Sequence, residues 1–151
     1  MIITSDIDLA LREQTALVAQ DQVFILVDTN TRQHCLPIIE QTLAIPDEHI
    51  CCIPAGEAHK TLQTIEQIWQ FLIEQGATRK SLLINLGGGV LTDMGGFAAA
   101  TYMRGMPFLN IPTTLLGMVD AAAGGKTGFD YQGMKNQIGL FRMPQETIIH
   151  T

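Results

Sequence analysis

The sequence predicts an α/β fold: a doubly wound, mostly parallel sheet with helices on both faces. Three observations predict it. Val23 to Val27 (VFILV) is a continuous apolar run, as in a central parallel strand buried on both sides. Short apolar runs alternate with helical patterns along the rest of the chain. The run from Ser81 to Leu86 passes through Gly87, Gly88 and Gly89 straight into a helix of small residues.

Taken in order, Met1 to Thr4 reads as an edge strand and Asp8 to Ala19 as a helix with Leu9, Ala16 and Val18 apolar. The strand Val23 to Val27 is ended by Asp28-Thr29-Asn30. Residues 31 to 43 read as helical, with Pro37 either starting the helix or kinking it. Ile50 to Ile53 is a short strand. Thr61 to Gln75 is the clearest helix: Leu62, Ile65, Trp69 and Leu72 share a face, and Gly76 suits its C-terminal cap. Trp69 belongs to that packed face, not to a cofactor. The helix after the glycines runs from about Val90 to Thr101, and Phe108 to Ile111 and Glu146 to Ile149 supply further strands. Residues 1–151 thus form a single α/β domain, with no internal repeat and no low-complexity linker.

Composition narrows the function. At 46% hydrophobic the chain is not disordered, and no apolar run approaches a membrane span. The N-terminus carries no secretory signal pattern. Cys35, Cys51 and Cys52 show no C-x-x-C spacing and read as reduced thiols, so a cytoplasmic protein is expected. A net charge of −6 argues against a nucleic-acid surface. The charge is uneven, however. Up to Asp93 there are twelve acids and five bases; beyond it three acids face Arg104, Lys126, Lys135 and Arg142. Bases gather in the glycine-rich half, as an anionic ligand requires.

Strand, glycine turn and helix start aim backbone N–H groups at an anion such as a pyrophosphate. A plain strand-to-helix turn is the competing reading for three glycines alone. The dinucleotide pattern G-x-G-x-x-G fails because Thr92 stands at its third glycine. The Walker A pattern fails because Asp120 stands at its first glycine, although Gly125-Lys126-Thr127 matches its end. Other groups lie where ligands of such sheets bind, beyond the carboxyl ends of strands: Asp28 and Asn30, Glu57 and Lys60, Thr113 and Thr114. Each pair also has a structural reading, as turn residues or helix starts. Lys126, Lys135 and Asn136 can neutralise a phosphate or carboxylate and bind hydroxyls.

The motifs GGGVLTD, AATYMRG, IPTTLLGMVD, GGKTG and KNQIGLF occur in that order. With Val27-Asp28-Thr29-Asn30, Pro54-Ala55-Gly56-Glu57 and Lys60 upstream, they closely resemble the 3-dehydroquinate synthase family over most of the chain. The resemblance implies a Rossmann-like, NAD-binding domain. It implies conversion of 3-deoxy-D-arabino-heptulosonate 7-phosphate to 3-dehydroquinate plus phosphate, in the shikimate pathway of aromatic amino-acid biosynthesis. It assigns Asp28, Asn30, Glu57 and Lys60 to the adenosine half of NAD. Gly88, Gly89, Val90, Asp93, Thr113, Thr114 and Lys135 are assigned to the same cofactor. Asp120, Lys126 and Asn136 are assigned to an anionic sugar-phosphate substrate. Arg104 matches an arginine that reaches substrate phosphate from a neighbouring subunit, which implies a homodimer. A related sugar-phosphate cyclase, a metal-dependent alcohol or glycerol-phosphate dehydrogenase, and a non-catalytic nucleotide-binding module are the alternatives.

Two residues depart from the family pattern. Ala121-Ala122-Ala123 stand where two serines are common, and Asp130 stands where an asparagine is common. The family also carries a helical domain whose glutamate and two histidines bind a divalent metal, zinc or cobalt. Those ligands are expected outside residues 1–151. Glu146 and His150 are not expected to replace them, so no metal ligand is assigned here, and residues 1–151 alone are expected to be inactive as a synthase.

Overall fold

A computed structural model describes the backbone of residues 1–121 and 124–151, and the side chains of these except residues 120 and 121. The strands are β1 (Ile2–Thr4), β2 (Val23–Asp28), β3 (Ile50–Ile53), β4 (Leu82–Gly87), β5 (Phe108–Pro112), β6 (Lys126–Tyr131), β7 (Met134–Phe141) and β8 (Glu146–His150). The helices are α1 (Ile7–Thr15), α2 (Thr29–His34), α3 (Leu36–Glu40), α4 (Leu62–Glu74) and α5 (Gly89–Thr101). Six strands form one sheet in the order β1-β8-β5-β4-β2-β3, and every neighbouring pair runs parallel. The doubly wound α/β expectation is met.

Alternation along the strands builds two cores. In β2, Phe24 and Leu26 face α4 and α5, where Ile65, Ile68, Leu72, Met94 and Ala98 cover them. Val23, Ile25 and Val27 face the other way, against Leu11 of α1 and Leu36 and Ile39 of α3. A strand buried on both faces must be apolar at every position, which is why VFILV shows no polar alternation. Each fully buried Leu, Ile or Phe stabilises the fold by about 1.5–3 kcal/mol.

α5 packs unusually close to the sheet. A Cβ at Gly95 would sit 2.0 Å from Asn85 Oδ1 of β4, so only glycine fits there. Asn85 is fully buried and donates to Asn110 Oδ1 of β5 at 3.0 Å, tying the two central strands beneath the helix.

Several boundaries differ from expectation, each for a local reason. α1 starts at Ile7 and stops at Thr15, short of Ala19; Asp6 caps it by accepting from Leu9 N. The helical stretch 31–43 is two helices broken at Cys35, with Pro37 in the first turn of α3, where its missing N–H costs nothing. Thr61 caps α4 through Thr64 N, and Gly76 follows in a left-handed conformation (φ 73°). Trp69 is structural, as expected: its Nε1 donates to Thr101 Oγ1 at 3.0 Å.

The largest addition is the antiparallel hairpin β6–β7, in a stretch to which the sequence assigns no element. Its turn is Gln132-Gly133, both at positive φ (50° and 77°), a two-residue arrangement that matches strand twist. Phe129 anchors the hairpin on α5, edge-on to Phe97 at 5.3 Å between ring centres. Gly96 admits it, since a Cβ there would approach Thr127 Cγ2 to 2.7 Å.

Candidate functional site

The sheet reverses its winding between β2 and β4. From β2 the chain moves outward to β3, and from β4 it moves the opposite way to β5 and β8. Helices leave the carboxyl ends of β2 and β4 in diverging directions, which opens a crevice between them. A cleft of about 760 Å³ lies there. Its floor is the glycine turn. Gly88 is the N-cap of α5 and no side chain caps this 13-residue helix. The first backbone N–H groups of a helix have no intrahelical partner, and the helix dipole adds positive potential at the same place.

Neighbouring segments hold the turn in shape. Thr113 N donates to Gly87 O at 3.0 Å, joining β5 to the turn. Thr114 Oγ1 accepts from Gly117 N at 3.0 Å, and a Cβ on Gly88 would lie 3.1 Å from Thr114 Cγ2. Any larger residue at Gly88 would press on Thr114 and cover the exposed amides. At the end of β2, Asp28 caps α2: Oδ1 accepts from Asn30 N and Thr31 N, both at 2.8 Å. The structural reading of Asp28 therefore holds, and its carboxylate also borders the cleft.

A charged network also borders the cleft. Lys60 is 4% exposed, so its ammonium must be paired. It donates to Asp93 Oδ2 at 2.9 Å and to Asn136 Oδ1 at 2.6 Å. One lysine thus links the segment after β3, the second turn of α5 and the hairpin. Glu57 stands at the rim beside Asp130. Loss of hydration, followed by a side-chain hydrogen bond with Asp130, raises the Glu57 pKa, while Lys60 and Lys135 pull it back down.

The cleft brings together most of the residues singled out from sequence. Asp28, Asn30, Glu57, Lys60, Gly88, Gly89, Val90, Asp93, Thr113, Thr114, Lys126 and Asn136 all border it. Lys126 and Asn136 also line a second pocket, with Asp93 of α5 and residues of both hairpin strands. Lys135 does not border the main cleft. It lines an adjoining pocket with Glu57, Lys60 and Asp130, beside the hairpin turn Gln132-Gly133. Arg104 follows the far end of α5, roughly 20 Å from the glycine turn at 1.5 Å per residue. Its backbone is left-handed (φ 70°) and its side chain exposed, so it does not serve this cleft within one chain. The side chain of Asp120 lies outside the described residues.

Sequence reasoning missed Thr31, Gly56 and Gly117, which also line the cleft. Gly56 carried a usable signal, the glycine of Pro54-Ala55-Gly56-Glu57, and its φ of 105° explains why glycine stands there. Gly117 contributes a close approach, its Cβ position lying 3.3 Å from Gly89 N.

Among the described residues no three His, Cys, Asp or Glu side chains are grouped so as to hold a metal ion. Glu146 pairs with the N-terminal ammonium, and His150 Nδ1 lies 3.3 Å from Thr4 O. The three thiols are free, and burial, then Cys52 beside it, pushes Cys51 up to about 12. No helix among the described residues is long and apolar enough to cross a membrane.

Residues 50–151 match the family model for the 3-dehydroquinate synthase N-terminal region. A 3-dehydroquinate synthase from Parabacteroides distasonis is 46% identical over 144 residues, 95% of this chain and 41% of that protein. One from Pyrococcus furiosus is 46% identical over 128 residues, 85% of this chain and 38% of its own. The chain thus spans about two fifths of these relatives. Among solved structures, 2-epi-5-epi-valiolone synthase from Streptomyces hygroscopicus subsp. jinggangensis, with NAD+ and Zn2+ bound, superposes with a TM-score of 0.86. It is 30% identical and covers 99% of this chain and 42% of its own.

Proposed function

Because the chain belongs to the 3-dehydroquinate synthase family, we propose that its cleft binds NAD for the conversion of 3-deoxy-D-arabino-heptulosonate 7-phosphate into 3-dehydroquinate and phosphate. The observation that carries the proposal is the uncapped glycine start of α5, which shares one cleft with the Lys60–Asp93–Asn136 network. Unpartnered amides at a helix N-terminus fit a pyrophosphate, and glycines let it approach the backbone. The remaining acceptor capacity of Asp28, beside Asn30, suits ribose hydroxyls. Thr113 and Thr114 keep the turn in register. The residues present fit the dinucleotide.

Bound there, NAD would supply a reversible hydride acceptor for a ring hydroxyl. This chain's own residues hold and neutralise. Lys126 opens β6 at the cleft mouth, exposed and within reach of an anionic substrate. Asn136 offers its amide nitrogen, since its Oδ1 is already taken by Lys60. The family assigns Asp120 to the same substrate and Arg104 to the neighbouring subunit's. The position of Arg104, at the end of α5 away from its own cleft, supports that arrangement in a cytoplasmic homodimer. The divalent metal, zinc or cobalt, would be held by a glutamate and two histidines of a second, helical domain.

A related sugar-phosphate cyclase activity remains the second reading, supported by the likeness to 2-epi-5-epi-valiolone synthase. Phosphate release by the whole enzyme, with NAD and metal, compares the seven-carbon substrate with other sugar phosphates. Turnover of the first, with 3-dehydroquinate formed, supports the synthase. Turnover of another sugar phosphate alone would replace it with the cyclase reading.

A further inference from the structure

The hairpin is irregular at one place. Phe129 pairs with Ile138 and Tyr131 with Met134, so the single residue Asp130 stands opposite Lys135, Asn136 and Gln137. A bulge re-aims side chains and leaves backbone groups without ladder partners. Here Asp130 supplies the partner of one such group and finds a partner for its own N–H outside the ladder. Its carboxylate Oδ1 accepts from Asn136 N at 2.8 Å. Its own N–H turns away from β7 and donates to Lys60 O at 2.9 Å. Asn136 sits in the left-handed region at φ 55°, a conformation that asparagine adopts more readily than other side-chain-bearing residues. The two residues Asp130 grips by their backbones, Lys60 and Asn136, are the two whose side chains meet at 2.6 Å in the cleft.

We propose that Asp130 is a positioning residue: it closes the hairpin bulge and so sets the Asn136 and Lys60 side chains in the cleft. Asp130 itself does not border the main cleft; it lines the adjoining pocket, with Glu57 and Lys135. It therefore acts through Asn136 and Lys60, not on the ligand. A carboxylate oxygen is the strongest acceptor available for one orphaned backbone N–H. An amide oxygen in the same place would also accept, so asparagine is the conservative substitute and alanine the disruptive one.

The role of the cleft as a dinucleotide site rests on the reading above, so the test separates the two. The backbone amide of Asn136 is followed by NMR without ligand in wild type, D130A and D130N. Expected are slow hydrogen exchange and a low-field shift in wild type, both lost in D130A and largely kept in D130N. Thermal melting of each variant checks that the fold persists. NAD titration of the same samples should show affinity weakened about tenfold or more in D130A and restored in D130N. An Asn136 amide that is unchanged in D130A would overturn the proposal, whatever NAD does. If the amide responds as expected but wild type does not bind NAD, the positioning role stands and the dinucleotide reading fails. Should D130A fail to fold, a D130N amide that exchanges freely would equally refute it.

Discussion

Replacing Lys60 with methionine keeps the length of the side chain and removes its charge. The Lys60 side chain is almost sealed from solvent, 5% exposed, and that of its partner Asp93 retains 20%. Breaking a buried pair by removing one partner costs about 3–5 kcal/mol, because a charge is left without compensation. Asp93 keeps some water and further partners, which places Lys60→Met at the low end, about 3 kcal/mol. For a domain of this size each kcal/mol lowers Tm by about 2–4 °C, so the drop should be roughly 6–12 °C. Calorimetry reads it directly. The double variant Lys60→Met with Asp93→Leu removes both charges and should recover part of the loss. A single-variant loss under about 1 kcal/mol would mean that the pair behaves like an exposed one. The account of the cleft wall as a buried, ordered network would then be wrong.

Further outcomes follow from other residues. Gly95→Ala drives a Cβ to 2.0 Å from the buried Asn85 amide and should cost about 3 kcal/mol in denaturant unfolding; an unchanged midpoint would contradict the close packing of α5. Glu57 has its folded pKa raised above the usual 4.5, so its contribution is fully present below that value and is lost as pH rises through the folded pKa. Glu57→Gln should therefore flatten the stability profile above pH 4.5, and a profile identical to wild type would count against the Glu57–Asp130 contact. Lys126→Ala in the whole enzyme should weaken substrate binding or turnover by about 10–150-fold with the fold intact, the loss of one charge-assisted hydrogen bond. NAD should bind in preference to NADP, because Asp28 repels a 2′-phosphate; equal calorimetric affinities would argue against its place at the ribose.

What the sequence made legible follows from periodicity and from motif spacing. VFILV reads as a strand buried on both sides, and the glycine run as the turn at a strand end; together they placed the crevice. The cleft residues near strand ends were found for the same reason. The hairpin was not found. β7 is exposed along most of its length, so MKNQIGLF carries neither alternation nor a continuous apolar run. Its turn is Gln-Gly, which lacks the usual asparagine or aspartate signal. The burial of Lys60 was equally hidden. Its partners Asp93 and Asn136 lie 33 and 76 residues away, a contact that only the fold creates. Asp130 was noticed for its charge, but its bulge depends on a register that sequence does not print.

The central claim is that the glycine start of α5 receives a dinucleotide pyrophosphate. NAD titrated into the protein, followed residue by residue by amide NMR, tests it most directly. The largest shifts are expected at Gly88, Gly89 and Val90, with smaller ones at Asp28, Asn30 and Thr114, and none at Arg104 of the same chain. Saturable binding that leaves Gly88 to Val90 unmoved, or no binding at millimolar NAD, would contradict it.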